Sequence, residues 1–172
     1  MRFLGLLVGM LVCALGSATA LCQDTPGWNS RIVADEAQGA SYVELSLKGT
    51  YLTPPSVVAA QPALVIECAN GKVRENYFSF GAVLSHHAGG LYPVELEAHI
   101  DNVRRPIGVQ DLSPDGTSAY FPRRELKRML AARKVLVGAV EFAGPQMLAS
   151  FSMPDSSPVF SACGHDFILK QK

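Results

Sequence analysis

The stretch "LVIECANGKV", residues 64–73, decides the fold. Successive side chains of an extended segment point to opposite faces, so Leu64, Ile66 and Cys68 share one side and Val65 and Glu67 the other. Asn70-Gly71 then supplies two residues that tolerate the positive φ of a tight hairpin turn. The segment predicts a β-hairpin of residues 63–69 and 72–80, with a cysteine in its core-facing run. In the simplest register Cys68 faces Val73 and Glu67 faces Arg74, both compatible pairs, while Glu75 falls opposite Ile66. That last mismatch predicts a bulge or register change near Glu75 to Tyr77.

Working outward, "SYVELSLKG" alternates cleanly, with Val43, Leu45 and Leu47 inward and Glu44, Ser46 and Lys48 outward. "VELEAHI" does the same: Val94, Leu96, Ala98 and Ile100 inward, Glu95, Glu97 and His99 outward. "SPDGT" reads as a turn and "TSAYF" as a short strand; "VLVGAVEF" and "MLASFSM" flank a turn at Ala143-Gly144-Pro145. Pro54-Pro55 and Pro62 bracket a connection without a pattern, and residues 21–40 read as an N-terminal arm holding Trp28, the only tryptophan. Short strands punctuated by turn signals predict a mainly β fold, an antiparallel β-sandwich or open barrel.

One segment has a different period. In "PRRELKRMLAARK", Pro122 to Lys134, the side chains of Leu126, Met129, Leu130 and Arg133 fall on adjoining angles at about 100° per residue. Arg123, Arg124, Lys127 and Arg128 line the neighbouring side, and Pro122 suits a first helical position. This predicts one short amphipathic helix near 122–133, with Leu126, Met129 and Leu130 buried against the sheet.

The N-terminus bears on the redox compartment. Arg2 is followed by an apolar run from Phe3 to Leu15 and by small residues up to Ala20, the pattern of a secretory signal peptide. Residues 1–20 are therefore expected to be removed, with cleavage after Cys22 a less typical alternative; Val12 before Cys13 and Leu21 before Cys22 disfavour lipidation. The mature chain, 21–172, is about 150 residues, one domain by size. No later segment is long and apolar enough to span a bilayer. Export leaves Cys68 and Cys163 in an oxidising space, where pairing is the default and two free buried thiols the alternative. A Cys68–Cys163 bridge would tie an early central strand to the C-terminal tail.

Charge is balanced, with 15 basic and 15 acidic residues, so no whole-chain attraction draws this protein to nucleic acid. Catalytic and cofactor signatures are not found. His86-His87, His99 and His165 lack metal-ligand spacing, and neither a nucleophile elbow nor a phosphate-cradling glycine loop is present. Glu95 and Glu97 lie along one exposed strand face, where carboxylates are usually solvated rather than catalytic. Cys163-Gly164-His165 places a thiol beside an imidazole in sequence only. No metal and no cofactor is expected. The charge feature that stands out is the run Arg123, Arg124, Lys127, Arg128, Arg133 and Lys134, interrupted by a single acid, Glu125. Its alternatives are an ordinary solvated helix face and a docking surface for an acidic envelope protein or an anionic envelope polymer; Arg104 and Arg105 could extend it.

Trp28 in the arm, "PALVIEC" ending at Cys68, "HID" at Asp101, "LSPDGTSAYF" ending at Phe121, a short helix, a strand pair and "ACG" around Cys163 together resemble the TagO/VasI-type accessory proteins associated with type VI secretion. His99 stands where that pattern has arginine, and Gln110-Asp111-Leu112 where it has a second tryptophan. The resemblance implies a periplasmic, non-enzymatic accessory protein with one disulfide. Two functional classes follow: an accessory or binding module of the envelope, and a small secreted hydrolase or lyase with a site not visible in the sequence. A deep cleft with converging titratable groups would mark the second, a surface patch the first.

Overall fold

The structure is a computed structural model that describes residues 24–25, 27–35, 39–56, 60–84, 95–140 and 144–164. The expected signal segment 1–20, His86-His87 and His165 lie outside these residues. In chain order the strands are β1 (Asp24–Thr25), β2 (Trp28–Asp35), β3 (Ala40–Lys48), β4 (Thr50–Thr53), β5 (Ala63–Ala69), β6 (Lys72–Ser79), β7 (Glu95–Ile100), β8 (Val103–Gly108), β9 (Asp111–Leu112) and β10 (Ser118–Tyr120). Helix α1 (Arg123–Leu130), β11 (Lys134–Val140), β12 (Gln146–Ser152) and helix α2 (Ser157–Cys163) follow. They form a seven-stranded sheet ordered β1-β2-β3-β5-β6-β10-β9 and a five-stranded sheet ordered β4-β12-β11-β7-β8. Every strand pairing is antiparallel, so the mainly β, two-sheet expectation holds.

The β5–β6 hairpin lies where the sequence places it. Asn70 and Gly71 both take positive φ, 52° and 73°, as a type I′ turn requires. Cys68 faces Val73, but Glu67 faces Glu75, not Arg74; the register shifts between Glu67 and Cys68. Arg74 is the extra residue, so the bulge sits one position before the expected stretch. Its physical effect is to keep Ile66 off Glu75 and opposite Asn76 instead.

Strand β5, paired on both edges by β3 and β6, has buried side chains on both of its faces. The chain then crosses between sheets at Gly49, from β3 to β4. A Cβ there would lie 2.7 Å from the Phe151 ring and 2.9 Å from the Ser150 carbonyl oxygen, so only glycine fits the crossing. Phe78 of the first sheet packs 4.8 Å from Phe121 and 5.4 Å from Phe151 of the second, centroid to centroid, joining both layers in one core.

Three expectations change. The arm contains strand β2, whose Trp28 is fully buried in the core. An edge strand that was not expected, β4, forms just before the Pro54–Pro62 connection. A second helix, α2, follows β12, so the fold has two short helices where one was expected. The expected helix itself is shorter than its basic run. Pro122 is its N-cap and the helix ends at Leu130, so Arg133 and Lys134 lie beyond it. Their backbone N–H groups donate to Asp101 Oδ1 at 2.9 and 3.1 Å, fastening the start of β11 to the β7–β8 turn.

Candidate functional site: a polar groove beside the basic helix

Leu126, Met129 and Leu130 are buried, as their spacing predicts, and α1 packs on β6. The C-terminal carbonyl of Leu130 accepts a 2.8 Å hydrogen bond from the Ser156 hydroxyl, at the cap of α2. So anchored, α1 presents Arg123, Arg124, Lys127 and Arg128 to solvent. Glu125, the acid within the run, is buried, and two of these cations close over it. Arg128 Nη1 lies 2.9 and 2.8 Å from its two oxygens and Arg124 Nε lies 3.1 Å away. The patch is thus less positive than its residue count implies.

Along the outer face of the first sheet, register lines up Arg31 with Glu44, Glu44 with Glu67 and Glu67 with Glu75. Arg31 grips Glu44 bidentately at 2.8 Å. Glu67 is buried, and burial first, then the Glu75 charge, raises its pKa above the usual carboxylate range, with Arg74 pulling the other way. Arg74 bonds Asp35 at 2.7 Å, approaches Glu67 at 3.9 Å and stacks its guanidinium 4.9 Å from the Tyr42 ring centre. Tyr77 and Tyr120 pack with centroids 5.0 Å apart, and burial holds both phenols protonated beyond their usual range.

Where this face meets the start of α1, a groove of about 730 Å³ opens among Arg74, Glu75, Gln110, Asp111, Tyr120 and Arg123. Its walls are fixed by backbone bonds. Gln110 N–H donates to the Tyr120 carbonyl at 2.8 Å, and Asp111 pairs in register with Tyr120. Below, the buried Asn76 side chain donates to the Phe121 carbonyl at 2.6 Å.

A second polar cluster occupies the outer face of the five-stranded sheet. His99 Nε2 lies 3.1 Å from Glu97 Oε1, and Arg104 Nη2 lies 2.9 Å from Glu97 Oε2. The His99 hydrogen bond, then Arg104, keeps the Glu97 carboxyl below its usual range. Two open cavities of about 500 and 330 Å³ share Glu97, Gly138 and Gln146. Arg104 therefore serves Glu97 on the second sheet. Among the described residues, no group of three or more His, Cys, Asp or Glu side chains could hold a metal ion.

Cys68 and Cys163 are joined, with Cα atoms 5.3 Å apart, which docks α2 on β5. A buried structural disulfide fits an oxidising, extracytoplasmic setting. Among the described residues no helix is long and apolar enough to cross a membrane. The groove residues Arg74, Gln110, Asp111 and Tyr120 carry no motif. They become neighbours through the β6–β10 pairing, which joins segments some forty residues apart, and the β10–β9 pairing beside it. No protein-family model, curated protein or solved structure matches the chain.

Proposed function

We propose that this chain is a periplasmic or secreted, non-enzymatic accessory or binding protein of the bacterial envelope, placed beside a type VI secretion apparatus by its resemblance to TagO/VasI-type proteins. The observation that carries the reading is α1 itself. It is a rigid element, clamped by its apolar side and by Ser156, that holds four cations at the surface next to a polar groove. Such a surface speeds encounter with an acidic envelope protein or an anionic envelope polymer more than it adds affinity. The export pattern at residues 1–20 and the Cys68–Cys163 bridge support the location.

The test is affinity capture from envelope extract across a salt series. Capture should weaken as salt rises, because exposed charges are screened over about 8 Å at physiological ionic strength. Arg124 and Arg128 are unsuitable for charge reversal, since two new carboxylates would then crowd buried Glu125. Replacing Arg123 and Lys127 by Gln should leave the fold intact and weaken capture. Unchanged capture with unchanged salt dependence would leave α1 a solvated face.

The second reading, a small secreted hydrolase or lyase, has one arrangement in its favour: His99 hydrogen-bonded to Glu97 above an open cavity. His99→Ala separates the two. On the favoured reading it leaves capture unchanged; loss of an activity found in the wild type would move the site to the second sheet.

A further inference from the structure

The groove beside α1 differs in chemistry from the helix. Its mouth carries Arg123 against Glu75 and Asp111, while the guanidinium of Arg74, a further lining residue, is spent on Asp35 and the Tyr42 ring. Its volume, about 730 Å³, lies inside the usual range for small-ligand sites, about 300–1,000 Å³. Its lining combines planar polar groups, namely the Arg123 guanidinium, two carboxylates and the Gln110 carboxamide, with the half-buried Tyr120 and with buried Phe121. The Tyr120 ring packs on Tyr77 at 5.0 Å and the Gln110 N–H fixes the Tyr120 main chain, so little ordering remains to be done on binding.

A polyanion gains little from a mouth with two carboxylates, and the apolar lining residues Leu112, Pro114 and Pro122 alternate with these polar groups. A chain of sugar rings suits both features. Its hydroxyls donate and accept at once, so each can meet a carboxylate and a guanidinium, and its C–H faces can lie on an aromatic ring. We propose that this groove binds a neutral oligosaccharide segment, with one pyranose ring laid on Tyr120 and its hydroxyls hydrogen-bonded by Gln110, Asp111, Glu75 and the Arg123 guanidinium. The proposal rests on the reading of the chain as an envelope binding protein and names the ligand class for the groove beside α1. Because no net charge drives the contact, binding is insensitive to salt, the opposite of docking through α1.

The test titrates the whole disulfide-bonded chain with the soluble, uncharged β-1,4-linked tetramer of N-acetylglucosamine, by calorimetry at low and at high salt. Binding should be the same at both. Tyr120→Ala should weaken it about tenfold, while Tyr120→Phe, which keeps the ring, should stay within about twofold. Gln110→Ala alters an exposed side chain that the fold does not need, and should weaken binding about fivefold. Pelleting with insoluble peptidoglycan identifies the source: competition by the tetramer marks a polymer-borne glycan, and tetramer binding without pelleting marks a free one. No wild-type binding at millimolar tetramer overturns the proposal, as does equal binding by the wild type, Tyr120→Ala and Gln110→Ala. If the tetramer fails while salt-dependent capture through Arg123 and Lys127 persists, the groove proposal falls and the proposed function stands. If both fail, that reading falls too.

Discussion

Glu67 concentrates the tension on the outer face of the first sheet. It pairs in register with Glu44 on one side and Glu75 on the other, and its own burial opposes its charge. Its folded pKa is raised, so the native state holds the Glu67 proton more tightly than the unfolded chain does. The stability this contributes is full below the usual carboxylate range and is lost as pH rises through the raised folded value. Glu67→Gln should therefore raise Tm at neutral pH and flatten the fall of Tm above the carboxylate range, read by the fluorescence of the single, buried Trp28. A lower Tm at pH 7 would mean that the Arg74 contact at 3.9 Å outweighs desolvation. Asp115 has the opposite sign. Hydrogen bonds from Ser113 and Thr117 depress its pKa, so its contribution is present at neutral pH and is lost as pH falls through that depressed value.

At the scale of elements, the staple between β5 and α2 and the ion pairs on α1 carry separate predictions. Cys68→Ala frees α2 from β5 and should cost roughly 2–5 kcal/mol, the usual range for a native disulfide in a small secreted domain, measured by denaturant unfolding. Arg128→Ala removes two hydrogen bonds from buried Glu125 and should cost about 1–3 kcal/mol, where an ordinary exposed arginine would cost almost nothing. An unfolding midpoint equal to that of the wild type would contradict the pairing. The elements that could be read from sequence are those with an unbroken period. β3, β5 and β7 alternate, and α1 repeats Leu126, Met129 and Leu130 at helical spacing. Those missed lack one. β2 starts at the sandwich core with Trp28 and runs out to an exposed Ile32, so its inward row is apolar only at intervals. α2 spans seven residues with a proline in its first turn, too short for periodicity to show. The basic run was legible as a surface, but not that Glu125 would turn inward and draw Arg124 and Arg128 over itself. The groove was not legible at all, because the β6–β10 pairing that assembles it joins segments some forty residues apart.

At the scale of the whole molecule, the architecture depends on an oxidised disulfide. One core unites two sheets, and the disulfide closes the C-terminal helix onto the central strand, 95 residues away in sequence. That closure holds Ser156 against the end of α1 and so steadies the surface on which binding is proposed. The proposed function thus requires that the protein be exported and oxidised before it works. Intact-mass spectrometry of the unreduced protein, recovered from the periplasmic and extracellular fractions of its own host, tests this most directly. The expected species is a chain shortened by cleavage after Ala20 or Cys22, two hydrogens lighter than its fully reduced form, with Cys68 and Cys163 linked in a single peptide pair. A full-length chain confined to the cytoplasm, with free thiols at Cys68 and Cys163, would contradict it.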